Sequence, residues 1–164
     1  MSGLIIELGY MGLSVSNADA WKNYAGKIMG LEISDEGEGD RFYLRMDEWH
    51  HRFVVHVDGQ DDLAYMGWRV AGRQELDQAA RLLEANGVEV TFGSPEEAAE
   101  RRVLGLLKLQ DPGGNPTEIF YGPQVDAHRP FHPGRPMHGR FVTGAQGMGH
   151  SILRQSDDDA AYAF

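Results

Sequence analysis

One short pattern recurs three times along the chain. Met11-Gly12-Leu13-Ser14-Val15, Met66-Gly67-Trp68-Arg69-Val70 and Met148-Gly149-His150-Ser151-Ile152 all read Met-Gly-X-X-(Val/Ile). The copies lie 55 and then 82 residues apart, from Met11 to Met66 and from Met66 to Met148. Self-similarity at that spacing means one supersecondary unit used repeatedly. The third position of the pattern is Leu13, then Trp68, then His150. It is apolar twice and becomes an imidazole the third time. If that position faces an apolar interior, the imidazole needs a metal or a hydrogen-bond network, because an unpaired buried polar group is costly.

The segments around each copy predict the unit. Residues 5–15 read as a strand, with Gly9 and Gly12 marking a bulge or close backbone approach. Ser16 or Asn17 can cap a helix. Trp21, Tyr24, Ala25, Ile28 and Met29 then fall at helical spacing as one apolar stripe, and Gly30 stops it. Residues 31–33, 41–46 and 53–57 read as strands, with Gly37 and Gly39 turning the first into the second. The order is β-α-β-β-β. The second unit repeats it with a strand at 63–70 and a helix at 74–86. In that helix Leu76, Ala79, Ala80 and Leu83 face inward and Gly87 follows the end. Another strand is expected at 88–92, and a short helix starts at Pro95. A hairpin of 103–109 with 117–121 turns at Asp111-Pro112-Gly113-Gly114-Asn115.

Residues 123–140 break the pattern. Pro123, Pro130, Pro133 and Pro136 sit among His128, His132 and His138, which leaves no room for a helix and reads as an ordered or semi-rigid linker. The third copy then starts a strand, and Ser156 with Asp159 is expected to cap a further helix. The organisation expected is a two-module domain over 1–122, a Pro/His-rich linker over 123–140, and over 141–164 the start of a second domain belonging to a longer protein.

Bulk properties exclude several classes. A net charge of -10 over 164 residues, with no basic run, argues against a nucleic-acid partner. There is no cysteine, hence no disulfide framework or thiolate chemistry. No apolar run has the length of a membrane span and no signal peptide leads the chain, so a cytoplasmic protein is expected. Several polar groups have plain structural explanations. His50, His51 and His56 read as surface histidines from strand alternation. His128, His132 and His138 lack metal-site spacing. The Asp111–Asn115 stretch lacks the helix and lysine of a phosphate loop and reads as a turn. Asp157-Asp158-Asp159 suits the positive end of a helix.

Taken together, Glu7-Leu8-Gly9-Tyr10-Met11-Gly12, residues 40–47, Leu63-Ala64-Tyr65-Met66-Gly67-Trp68, residues 111–116, residues 130–136 and Gly147-Met148-Gly149-His150 resemble the type I extradiol ring-cleavage dioxygenases of the vicinal oxygen chelate superfamily. The branch most similar acts on 1,2-dihydroxynaphthalene and 2,3-dihydroxybiphenyl. The resemblance implies an α+β fold of repeated βαβββ modules, glyoxalase-like, two of which form a cupped, barrel-like domain. It implies iron(II) held by two His and one Glu, with His150 as the first ligand and the others beyond Phe164. Leu13, Trp68 and Phe120 would be the non-ligating counterparts in the first two modules. Ile152, two residues past His150 on the same strand face, would line the substrate pocket. No catalytic residue would fall within these 164 residues, and the piece alone would be inactive. The partners implied are a catecholic substrate and O2, with a homo-oligomeric assembly. A non-catalytic small-molecule binding module on the same scaffold is the alternative.

Overall fold

The computed structural model describes residues 3–34, 36 and 39–164. Gly37, expected in the first turn, lies outside them; Gly39 has a φ of 84°, the left-handed conformation a tight turn uses.

Among the described residues, eight strands and three α-helices follow one another in the order the sequence predicts for two modules. The first module holds β1 (Glu7–Val15), α1 (Ala18–Asn23), β2 (Glu32–Ser34), β3 (Arg41–Arg45) and β4 (Phe53–Val57). The second holds β5 (Asp62–Arg69), α2 (Arg73–Ala85), β6 (Thr91–Phe92), α3 (Pro95–Glu100), β7 (Gly105–Gln110) and β8 (Pro116–Tyr121). A last helix, α4, covers Asp158–Ala163. In each module the first strand pairs in parallel with the last, β1 with β4 and β5 with β8. The other neighbours are antiparallel, β2 with β3, β3 with β4, β6 with β7 and β7 with β8.

Each module buries one sheet face under its helix. In the first, Val15, Ala25, Leu31, Phe42, Leu44 and Val55 form the core, joined by Leu13, Trp21 and Phe53. In the second, Leu76, Ala79 and Ala80 of α2 pack on Val70, Leu107, Leu109 and Ile119. The helix caps follow the short-range rules. Asn17 accepts from the Ala20 amide. Ser94 and Glu97 form a complete capping box with Pro95 inside the first turn.

Four expectations change. The first helix does not continue as α beyond Asn23: Tyr24–Met29 winds as a π-helix and ends at Gly30, whose φ is 83°. Bonds that skip five residues widen the turn. The buried positions therefore become Ala25, Gly26, Gly30 and Leu31, while Tyr24 and Ile28 of the expected stripe stand 50% and 60% exposed. The strand expected at 88–92 shortens to Thr91 and Phe92. The strand expected from Gly147 does not form. Only Gly147 makes a bridge, with Leu8, and the left-handed backbones of Gly147 and Gly149 (φ 59° and 89°) end it there. Asp157, not Ser156, caps α4 through the Ala160 amide.

Two compact units result. One contains the second module with the first residues to Gly9 and Ala145–Phe164. The other contains Tyr10–Ala64 with Gln124–Gly144. The Pro/His-rich segment is thus an ordered strap on the first module, held by His50 N–H donating to Gln124 O, Asp126 N–H to Glu48 O and Gly134 N–H to Gly30 O.

Candidate functional site

Register settles which way the repeated pattern faces. Met11 pairs with Phe53 and Leu13 with Val55; Met66 pairs with Thr117 and Trp68 with Ile119. The first two copies are therefore equivalent, as the repeat predicts. Leu13 belongs to the helix-side core. Trp68 shares a face with Val70 and pairs with Ile119, both in the core under α2. The apolar interior that this position faces is thus the helix-covered side of each sheet. Phe120, fully buried, lies on the other face of β8 from Ile119, so the three expected counterparts of metal ligands are not one set.

The face away from the helix carries the polar chemistry. In the first module Tyr10 (1% exposed) and Tyr43 (0%) close around His50 and His51, each 4% exposed. His50 Nδ1 lies 3.0 Å from His51 Nδ1, and His50 Nε2 lies 3.0 Å from a Glu36 carboxylate oxygen. A hydrogen bond between the two Nδ1 atoms requires a proton on one of them, and a carboxylate beside Nε2 of His50 favours an N–H there. Both histidines were expected at the surface. They lie before β4 begins at Phe53, where strand alternation does not govern them, and their carboxylate comes from a distant loop. Beside them Arg45, fully buried, makes two 2.9 Å bonds to Glu32 and a third to the Arg129 carbonyl. Arg52 clasps Asp47 at 2.8 and 2.5 Å.

In the second module Tyr65, equivalent to Tyr10, supports the Arg101 guanidinium 3.9 Å above its ring. Arg101 donates to Glu118 at 2.9 Å, and also bonds Glu100. Glu7 pairs with Arg69 in the same unit. Nothing in the local sequence marks Arg101 as the partner of Glu118; an isolated acid in a buried strand was the available signal.

His150 and Ile152 sit on an exposed span outside any strand, with Ile152 96% exposed. The span is held at both ends. At one end Met148 N–H donates to Leu8 O, and Gly147 approaches so closely that a Cβ would lie 2.4 Å from that oxygen. At the other, Gln155 donates to Asp111 at 2.6 Å and Asn115 to Arg154 O at 3.3 Å. Among the described residues no group of three or more His, Asp or Glu could hold a metal ion. The residues present therefore do not by themselves make an iron site; His150 supplies one imidazole. Cavities open to solvent among the described residues include one of about 550 Å³ beside β7, bounded by Val88, Lys108 and Pro112, and one of about 300 Å³ at the strap on the first module, walled by Phe131, Phe141 and Asp47.

Comparison with known proteins decides the ancestry of this arrangement. Residues 8–57 match the family described as dihydroxybiphenyl dioxygenase BphC D1. The chain is 65% identical to a biphenyl-2,3-diol 1,2-dioxygenase of Sphingomonas paucimobilis and 61% identical to a 1,2-dihydroxynaphthalene dioxygenase of Sphingobium xenophagum. Each match covers 98% of this chain and 54% of the relative. A crystal structure of a catechol 2,3-dioxygenase, 64% identical, superposes with a TM-score of 0.93 over 96% of this chain and 52% of that one. The chain is a homologue of the extradiol dioxygenases and has their fold. It spans about half the length of the curated relatives it matches. The homologues include an iron-dependent extradiol dioxygenase of Rhodococcus jostii strain RHA1, 35% identical over 98% of this chain and 52% of the relative, so iron is used within the family. The fold is the mixed α+β arrangement of the vicinal oxygen chelate proteins, as the resemblance implies. Among the described residues no helix is long and apolar enough to cross a membrane.

Proposed function

We propose that these residues belong to an enzyme that cleaves a bicyclic or biaryl catechol, such as 2,3-dihydroxybiphenyl or 1,2-dihydroxynaphthalene, next to its diol with O2. Its two modules form the non-catalytic part. The observation that carries this is the 65% identity to a biphenyl-2,3-diol 1,2-dioxygenase across 98% of the chain. In the proposed enzyme the metal is iron(II), which leaves open coordination positions for both reactants when held by two His and one carboxylate. In this reading His150 is the one ligand carried by these residues.

The counterparts of His150 lie three residues before Leu13 and Trp68. Leu13 belongs to the helix-side core and Trp68 shares its strand face with Val70 of the core under α2, so neither is taken as its counterpart. Leu8-Gly9-Tyr10, Leu63-Ala64-Tyr65 and Met148-Gly149-His150 share an apolar-small-ring order. Tyr10 and Tyr65 stand on the face away from the helix, and His150 takes the same place in a third module. There the two tyrosines fill with buried rings what the third copy offers as an imidazole. Ile152 then borders the substrate. The assembly is a cytoplasmic homo-oligomer.

The test uses the full-length protein, loaded with iron(II) under anaerobic conditions and then given O2 with each diol. A yellow ring-cleavage product is expected, and it disappears in His150→Ala together with iron retention. Diol binding without cleavage or iron uptake would favour the binding-module alternative instead.

A further inference from the structure

The Asp111–Asn115 turn does more than reverse the chain between β7 and β8. We infer that Asp111 is a positioning residue: with Asn115 and Gln155 it clamps the far end of the span that carries His150 and Ile152. The functional importance of that span rests on the proposed dioxygenase reading; the clamp itself rests on geometry alone.

Asp111 uses both carboxylate oxygens. Oδ1 accepts the Asn115 backbone N–H at 2.7 Å. Oδ2 accepts the Asn115 side-chain amide at 2.7 Å and the Gln155 side-chain amide at 2.6 Å. These are charge-assisted bonds, short and stronger than neutral ones. The Asn115 amide also reaches the Arg154 carbonyl at 3.3 Å, so side chain and backbone of the incoming segment are both held. The orientation of Gln155 is forced. Its Oε1 is buried and has no hydrogen-bond partner. Flipping the amide to rescue that oxygen would set it against the Asp111 carboxylate. Leaving a buried acceptor unmade costs free energy, and the clamp bears that cost. Gly113 makes the approach possible: a Cβ there would lie 2.4 Å from Gln155 Oε1. The aspartate, the asparagine and one of the two glycines of the turn thus have a joint role that a plain reversal does not require.

With the other end fixed by Leu8 and Gly147, the exposed residues between are confined from both sides. Losing the clamp frees one end. In the full-length protein, Gln155→Glu places a second carboxylate against Asp111 and opens it. Adding Asp111→Asn closes it again with roles exchanged, since the amide introduced at position 111 can donate to the carboxylate introduced at position 155 and to a flipped Asn115. Gln155→Ala and Gly113→Ala open it more mildly.

The readout is the rate at which thermolysin cuts the folded full-length protein within residues 149–153. Q155E should speed it about tenfold, the scale of one charge-assisted bond, and D111N/Q155E should bring it back toward wild type. Q155A and G113A should speed it without lowering Tm by more than a few degrees. The KM for the diol should rise and recover in parallel with proteolysis. Unchanged proteolysis in Q155E and Q155A, or no rescue in the double variant, overturns the clamp. Because proteolysis is measured on the protein irrespective of turnover, a protein that cleaves no diol but shows the rescue defeats the dioxygenase reading and leaves the clamp standing.

Discussion

Arg101 and Glu118 meet across 2.9 Å in a place nearly sealed from water, at 8% and 2% exposure. Tyr65 stacks under the guanidinium and so completes an apolar and polar lining for one charge pair. A pair like this contributes little net stability against an apolar substitute, because both ions lost their hydration. Its members are nonetheless interdependent. Removing one leaves the other charged and buried.

The single variant Glu118→Leu is therefore expected to destabilise the second module by about 3 kcal/mol, the low end for a broken buried pair because Arg101 keeps Glu100. The double variant Arg101→Met with Glu118→Leu should recover part of the loss. Urea unfolding of wild type, Arg101→Met, Glu118→Leu and the double variant in a double-mutant cycle measures the coupling. Additive losses would mean that the two side chains do not depend on each other.

A second expectation concerns the start of α3. Ser94 accepts from the Glu97 amide and Glu97 returns a bond to the Ser94 amide. Ser94→Ala should cost about 1 kcal/mol, read from urea midpoints. Glu97 also accepts from Lys108 at 2.5 Å. That bond first, and the Ser94 amide second, hold its carboxyl below the usual glutamate value. A depressed carboxyl stabilises the fold above its unfolded pKa, and the gain disappears as pH falls through the folded value. Lys108→Met should therefore lower stability at neutral pH and leave it nearly unchanged in acid below both values.

Much of this structure is legible in the chain. The recurrence of Met11-Gly12 as Met66-Gly67 gives the modules and their register, and periodicity gives α2 with its buried Leu76, Ala79 and Ala80. What escapes is set by partners far off in sequence. A stripe at 3.6-residue spacing cannot show that Tyr24–Met29 rewinds as a π-helix when the strap packs on it. His50 and His51 read as surface residues because Glu36, Tyr43 and Tyr10 reach them only in the fold. The third copy of the repeat has the letters of a strand, yet Gly147 and Gly149 take left-handed backbones and its pairing is limited to the bridge between Gly147 and Leu8.

The same geometry that fixes Gln155 makes its clamp acid-sensitive. Burial acts to raise the Asp111 carboxyl, but the side-chain amides of Asn115 and Gln155, with the backbone amides of Asn115 and Gly113, outweigh it and hold the carboxyl below its ordinary 3.8. The clamp is thus intact above that value and releases as pH falls below it, once Asp111 takes up a proton. Side-chain amide resonances of Asn115 and Gln155 should shift together in an acid titration. In Asp111→Asn they should not move with that midpoint.

The strap on the first module depends on a glycine with no room to spare. A Cβ on Gly134 would lie 2.6 Å from the Leu31 carbonyl oxygen and 2.8 Å from both the Cα and the carbonyl oxygen of Gly26. These are backbone atoms and cannot swing aside as a side-chain end would. Around this contact Gly134 N–H donates to Gly30 O, and Arg135 Nε–H donates to Ile28 O, a carbonyl of the π-helical turn. Gly134→Ala must therefore lift the strap or distort the turn, at about 1–3 kcal/mol, the usual range for overpacking. The strap is also tied down by Arg129 and the His132 amide on Glu32, so it should loosen locally before the module unfolds. Limited proteolysis of the full-length protein should then cut within 124–144 several times faster in G134A than in wild type, while the second module keeps its protection. Equal cleavage rates would show that the strap does not rely on this contact.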